Sequence, residues 1–407
     1  MEMIEPIQFY AKNYKAYKEI KLDVKKINIF IGKNSAGKSA LARLAPLILK
    51  SLDVSPGNVL DYSPLGIDIG ASYLDIVHGH TEYTRLVLGA TFRINELNVS
   101  FTTELNFSTE LKSLLVSNFK ATIGETHYQA ELDLEALGKD GVISYQSNGK
   151  AQNLIFNGLL PTNLDESENE LFSTLDKIRK NEFDISYLGP FRSELQRTYT
   201  SKSLKNLDIG DRGQNAPYIF REVDYKYNGI LSNKVKEWMY LNFDKKFFGL
   251  KLHDGSFSVI CSNQFNESNI VDEGMGFAQI FPSIINRNVR DLKKIKGIEI
   301  IEQPELHIHP AACGTIADLY LKARKNNIIF VETHSKEFIL RIRRRVAEGI
   351  DCKEVNLLYI DYDTIDKTAK MKPIKINDTG GVEWWPKGIF EEDFDEVIAL
   401  SKAGASK

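Results

Sequence analysis

The stretch GKNSAGKS, Gly32 to Ser39, constrains this chain more than any other. It fits the pattern G-x-x-x-x-G-K-[ST] at every fixed position. The apolar run KINIFIG precedes it, and Leu41, Leu44, Leu47 and Leu49 follow near one helical face. Strand, glycine-rich loop and helix in that order predict a phosphate-binding loop, in which free amides and a helix N-terminus meet an anion. The candidate nucleotide-binding residues are therefore Gly32, Asn34, Ser35, Ala36, Gly37, Lys38 and Ser39. Lys38 would reach the β/γ oxygens and Ser39 would ligate Mg²⁺, so ATP and Mg²⁺ are the expected ligands.

The C-terminal third supplies the rest of such a site. Three short apolar runs, IEIIE (298–302), IIFVET (328–333) and NLLYID (356–361), alternate with helical patterns. One pattern carries Ile316, Leu319, Tyr320 and Ala323, the next Phe338, Ile342 and Val346. Buried strands alternating with helices predict a parallel sheet with crossover helices. Glu302 ends the first strand in IEIIEQPE and is the second candidate Mg²⁺ ligand. His334 in VETHS ends the next and could sense a γ-phosphate. His307 and His309 in ELHIHP could be a metal pair or could shape a loop, and no third ligand stands nearby. VDEGMGFAQIFPSI places two glycines, Gly274 and Gly276, at the opening of a helical run. The long separation of Lys38 from Glu302 argues against a compact G-protein or a small kinase and for a nucleotide fold split by an insertion.

Elsewhere, residues 4–31 alternate as strands do, and residues ~70–160 carry the Thr, Val, Phe and Tyr of an antiparallel meander. The charged segment Asp165 to Glu182 reads as a surface helix, and KVKEWMYLNF as another. With 407 residues, 43% of them hydrophobic and 26% charged, the chain has enough apolar material for a full core. No run is long and apolar enough to span a bilayer, the start lacks the pattern of a signal peptide, and three scattered cysteines suit a reduced compartment. A cytoplasmic location without membrane attachment is the expectation. The net charge of −3 leaves nucleic-acid binding to a local patch. The candidate strip is Arg341, Arg344 and Arg345 in RIRRRVAEG, against the alternative of a solvated helix face.

With these residues in view, the chain resembles the ABC/SMC-like ATPases of the RecF and OLD type. It is most similar to stand-alone AAA family ATPases of prokaryotic anti-phage operons. NYKAYKEIKLDV, YLDIVHG, YLGPFR, DIGDRGQNAP and WWPKGIFEEDFDE carry that resemblance along nearly the whole chain. It implies an α/β P-loop NTPase of ABC/SMC-like type, with a parallel core sheet, an antiparallel β lobe and a helical insertion. The implied division is 1–64 (first part of the ATPase core), 65–164 (antiparallel lobe), 165–260 (helical insertion or arm), 261–362 (second part of the core) and 363–407 (C-terminal extension). It also implies a homodimer or higher even oligomer that sandwiches ATP, with Gly274 and Gly276 as the signature acting in trans and Lys15 touching the nucleotide. In that scheme the residue after the metal-site acid is the general base. Here it is Gln303, which orients water but accepts no proton, and Glu305 is the nearest carboxylate that could take the role. Slow hydrolysis is expected, with no room for the Toprim nuclease of OLD-type relatives. Two functions follow: a nucleotide-gated sensor or scaffold controlling a separate effector, a nuclease or toxin, in anti-phage defence; or a DNA-stimulated ATPase of repair type.

Overall fold

A computed structural model describes residues 3–134, 143–163, 169–204, 206–243, 246–263, 266–323 and 327–390. The chain divides into two compact units. One comprises Met1–Lys25, Ser39–Ile185 and Tyr362–Lys370, the other Lys26–Lys38, Ser186–Asp361 and Met371–Lys407.

Most of a six-stranded sheet falls in the second unit, in the order Ile185–Leu188, Gly297–Glu302, Asn327–Glu332, Ile27–Gly32, Val355–Asp363, Thr368–Ile374. The P-loop strand Ile27–Gly32 is parallel to both of its neighbours, and Gly297–Glu302 is parallel to Asn327–Glu332. INIFIG and NIIFVE are buried at every position, as strands covered on both faces must be. The covering helices include Met275–Leu292, Pro310–Leu321 and Lys336–Ala347. The last is amphipathic and turns Phe338, Ile339, Ile342 and Val346 inward. One apolar cluster joins Ile29, Ile301 and Val331 of the sheet to Phe220, Phe281, Met239 and Phe248. A smaller antiparallel sheet of Tyr199–Thr200, Ser256–Ser262, Phe247–His253 and Glu267–Asn269 closes this unit.

The first unit is an eight-stranded antiparallel sheet, Tyr17–Asp23, Ile4–Tyr14, Leu86–Ile94, Leu97–Ser108, Ser113–Ile123, Thr126–Leu132, Tyr145–Ser147 and Lys150–Gln152 in spatial order. Alternation sets its inner face: Val99, Phe101, Thr103 and Leu105 are buried from one strand, and Phe119, Ala121 and Ile123 from the next. Helix Leu44–Lys50 belongs to this unit and is buried from Leu44 to Leu49.

Three expectations about boundaries are altered. The segment 165–260 holds helices Asn169–Arg179, Ala216–Lys226 and Ile230–Asn242, but also Ile185–Leu188, an edge strand of the parallel sheet. The charged segment forms the expected surface helix over Asn169–Arg179, with Leu171, Leu175 and Ile178 turned inward; residues 164–168 lie outside the described residues. Residues 4–23, placed by the sequence in the ATPase core, join the antiparallel sheet, and Thr368–Ile374, placed in an extension, joins the parallel one. In WWPKGIFEEDFDE, the Trp384 and Trp385 indoles donate to the carbonyls of Pro373 (3.0 Å) and Ile389 (2.8 Å), while 391–396 lie outside the described residues.

Candidate nucleotide site

The P-loop strand ends at Gly32 with φ +149°, and a Cβ there would collide with the carbonyl oxygen of Ile360 on the adjacent strand. Only glycine lets two backbones run that close. The loop continues through Ser35 at φ +60° and Gly37 at φ +105°, the kind of turn that directs amides into one concavity. Asn34 and Ser35 are exposed, Ala36 is buried and Ser39 is half-buried. Lys38 is 3% exposed, and its ammonium donates to the carbonyls of Gly32 (3.1 Å) and Lys33 (2.8 Å). It also lies 3.9 Å from a carboxylate oxygen of Glu332. Burial pulls the lysine pKa below its ordinary value, and the charge of Glu332 opposes that shift.

Parallel register sets Glu302 level with Glu332, so two buried carboxylates end neighbouring strands side by side. The Tyr187 hydroxyl donates to Glu302 Oε1 at 2.9 Å. Gln303 then takes φ +47° directly before Pro304, and its amide donates to the Glu332 carbonyl at 2.8 Å. A non-glycine residue in that conformation ahead of proline is strained. The turn continues with Leu306 N–H to the Gln303 carbonyl and Ile308 N–H to the Glu305 carbonyl. It swings the Glu305 carboxyl back to the histidine strand, where Oε1 accepts from the His334 amide at 2.6 Å. The other oxygen, Oε2, is buried with no hydrogen-bond partner among the described residues. Burial pushes the Glu305 pKa up, against the hydrogen bonds from His334 and its neighbours. Burial, then the charge of Lys38, pushes the half-buried His334 imidazole down. One end of the parallel sheet thus gathers Lys38, Glu302, Glu305, Glu332 and His334.

Gly274 caps helix Met275–Leu292, and Gly276 lies in its first turn. A Cβ on Gly276 would stand 2.9 Å from the His307 carbonyl oxygen, so glycine there lets the helix start lie against the loop after the acidic strand. Both glycines line a cleft with Phe243, Phe277, Ile308 and His309. His307 is exposed at φ +61°, and His309 Nδ1 accepts from the Ala311 amide at 3.3 Å, capping helix Pro310–Leu321. These are loop-shaping roles. Among the described residues no group of three His, Cys, Asp or Glu gathers around a point that would hold a metal ion.

Two candidates are engaged elsewhere. The Lys15 ammonium donates to the Ile69 carbonyl, and the Lys15 amide donates to the Ile76 carbonyl at 2.7 Å. The arginine strip is neutralised within the fold. Arg345 makes a two-pronged contact with Asp318 (2.6 and 2.7 Å), Arg341 reaches the same carboxylate at 2.5 Å, and Arg344 reaches Glu348 at 2.7 Å. Helical spacing put these arginines on one face, but the acids opposite them were not visible in the pattern.

Sequence reasoning missed three residues here. Glu332 in VETHS closes an apolar strand as Glu302 does, so the two carry the same signal in the sequence. Tyr187 and Arg192 stood in YLGPFR without a role. Arg192 is 9% exposed and sits in the field of Tyr320, Tyr187, Glu302 and Glu305.

A P-loop, a buried lysine, and acids ending the adjacent parallel strands sit on a P-loop NTPase fold of ABC/SMC-like type. The chain belongs to the AAA ATPase domain family, whose model matches residues 7–247, more than half of it. The fold matches the Smc head bound to the C-winged helix domain of ScpA, with a TM-score of 0.50 and 12% identity over 92% of this chain and 98% of that one. Two further Smc heads align at lower TM-scores. One, bound to the C-terminal domain of ScpA from Pyrococcus furiosus, gives 0.48 at 11% identity over 98% of this chain and 100% of that one. The other, from Thermotoga maritima, gives 0.45 at 11% over 91% and 100%. No curated protein matches the sequence. No helix among the described residues is long and apolar enough to cross a membrane.

Proposed function

We propose that this protein is a nucleotide-gated switch: it binds ATP tightly, hydrolyses it slowly, and in its ATP-bound homodimer or higher even oligomer controls a separate effector protein. The observation that carries the reading is the state of the base position. Gln303 occupies it, pinned at φ +47° by its bond to the Glu332 carbonyl, while the nearby carboxyl of Glu305 is tied to the His334 amide. Glutamine orients water without taking its proton, and phosphoryl transfer depends mainly on positioning and charge, so such a site turns over slowly without being dead.

The residues present fit the ligands. The P-loop turn and the buried Lys38 ammonium offer positive ends to phosphate oxygens, and Glu302, with Ser39 next to Lys38 in the chain, provides oxygen donors suited to Mg²⁺. When bound, Mg²⁺ would neutralise phosphate charge. His334, held neutral, would sense the γ-phosphate, and Gly274 and Gly276 would meet the nucleotide of a second copy. A nuclease or toxin as the effector, and an anti-phage setting in the cytoplasm, rest on the resemblance to defence-operon ATPases. The repair-type reading loses its main support, since the arginines that favoured it are paired with Asp318 and Glu348.

The test is ATP hydrolysis and oligomeric state measured together. Gln303→Glu should raise single-turnover hydrolysis by about 10-fold or more, as expected on gaining a general base, and should shorten the lifetime of the ATP-bound oligomer. Brisk wild-type turnover that Gln303→Glu leaves unchanged would refute the slow-switch reading.

A further inference from the structure

The edge strand Ile185–Leu188 brings a hydroxyl to the acid that ends its neighbour. Tyr187, 5% exposed, donates from its phenol to Glu302 Oε1 at 2.9 Å, and the glutamate that it meets is 1% exposed. The backbone of Gly297–Glu302 fixes where Glu302 stands along the sheet, but its side-chain torsions leave the carboxylate free to turn. A hydrogen bond to one oxygen removes that freedom and leaves further lone pairs for a cation.

The tyrosine is itself held in place. Ser186, beside it, accepts from the Asn286 side chain at 2.9 Å, and the Pro190 carbonyl accepts from the Gln279 side chain at 2.8 Å. Both donors lie on helix Met275–Leu292, whose first turn carries the glycines described above. Gly189 N–H donates to the Asp211 carbonyl at 2.7 Å. A Cβ on Gly189 would stand 3.3 Å from the Tyr187 hydroxyl and 3.4 Å from the ring carbon Cε1, inside ordinary van der Waals contact, so glycine here leaves the ring its place. A buried carboxylate needs donors wherever it lies, and the bond alone would serve stability. The identity of the donor says more. A phenol is neutral, so it fixes the carboxylate without cancelling the charge that attracts a cation, whereas a lysine or arginine in its place would compete with the metal.

We propose that Tyr187 is a positioning residue of the metal site: its hydroxyl orients the Glu302 carboxylate for Mg²⁺, and the edge strand, pinned to helix Met275–Leu292, keeps the hydroxyl there. The proposal rests on Glu302 being the metal-site acid, as in the function proposed above.

The test titrates the full chain with a fluorescent ATP analogue, in EDTA and at a series of Mg²⁺ concentrations, and reads the Mg²⁺ midpoint at which binding tightens. Tyr187→Phe should raise that midpoint by about 10–100-fold, as loss of a ligand's outer partner does, while the Kd in EDTA moves less than about threefold. Gly189→Ala keeps the hydroxyl but crowds it, and should raise the midpoint by a smaller factor. A Tyr187→Phe midpoint within about threefold of wild type would overturn the proposal. So would equal losses of affinity with and without Mg²⁺, which mark a structural role. If Tyr187→Phe does not fold, Gly189→Ala decides, and an unchanged midpoint in that variant overturns the proposal. Glu302→Gln separates the two layers. If wild-type binding ignores Mg²⁺, or Glu302→Gln leaves the midpoint intact, Glu302 is not the metal-site acid and both readings fall. If Glu302→Gln abolishes the Mg²⁺ effect and Tyr187→Phe does not shift it, only the role of Tyr187 falls.

Discussion

Lys38→Met removes a charge that is bonded to carbonyls of its own P-loop. The ammonium is 3% exposed, bonded to the Gly32 and Lys33 carbonyls, and 3.9 Å from Glu332, itself 4% exposed. At 3.9 Å and an effective dielectric near 20, the Lys38–Glu332 attraction is about 4 kcal/mol before desolvation. Removing one member of a buried pair costs about 3–5 kcal/mol, because the other charge stays buried. Methionine keeps most of the volume, so packing contributes little. We expect about 3 kcal/mol of lost stability in urea unfolding without nucleotide. Adding Glu332→Gln should restore about half or more, since the stranded carboxylate is then neutral. A Lys38→Met protein within about 0.5 kcal/mol of wild type would refute the reasoning, because the ammonium would then be solvated rather than tied into the sheet. Loss of ATP binding in any Lys38 variant therefore needs a parallel measure of folding before it reports on phosphate recognition.

Other contacts give equally direct expectations. Gly276→Ala places a Cβ 2.9 Å from the His307 carbonyl, so it should destabilise the protein by about 1–2 kcal/mol despite alanine's better helix propensity; a stabilised variant in urea unfolding would show that the loop yields freely. The His334 pKa lies below its unfolded value, so the unfolded chain takes up the proton first as the pH falls. Wild-type stability should then drop below about pH 6.5, and His334→Gln should lose less between pH 7.5 and 5.5. Burial raises the Asp318 pKa, but bonds from Arg345 and Arg341 outweigh it and hold the carboxyl low. Asp318→Asn should therefore cost about 2 kcal/mol at neutral pH, where the carboxylate is ionised. Wild type should lose that increment as the pH falls through the depressed Asp318 pKa, and denaturant titrations at several pH values would check it.

What the sequence disclosed follows from how local each signal is. The P-loop occupies eight consecutive residues with fixed glycines, so its backbone demand is written in one place. The strands ending at Gly32, Glu302 and Glu332 are buried on both faces and appear as short, mostly apolar runs in which Asn28 and Glu299 are the polar interruptions. Ile185–Leu188 is buried as fully, but four residues with a serine and a tyrosine carry no period, so the edge strand went unread. The arginines at 341, 344 and 345 showed the correct spacing and an incomplete meaning, because Asp318 lies on the preceding helix. Glu332 and Arg192 depend on parallel register and on a pinned turn, and neither is a property of adjacent residues.

Several costs of this fold lie at its proposed chemistry. Gln303 is strained ahead of proline, Lys38 and Glu332 are buried charges 3.9 Å apart, and Arg192 and Glu305 hold unmatched polar atoms. Away from it, the ion pairs of Asp318 with Arg341 and Arg345 are matched and close. Two groups at the site have a complement in the proposed ligands: phosphate for Lys38 and a cation for Glu302. Removing Lys38 from the Gly32 and Lys33 carbonyls to meet phosphate would break bonds that hold the loop to its strand, so ligand binding and loop geometry are coupled. Those bonds are lost on binding, so the phosphate contacts must outweigh them, and the proposed long-lived ATP state rests on Gln303 standing where a carboxylate would act as base.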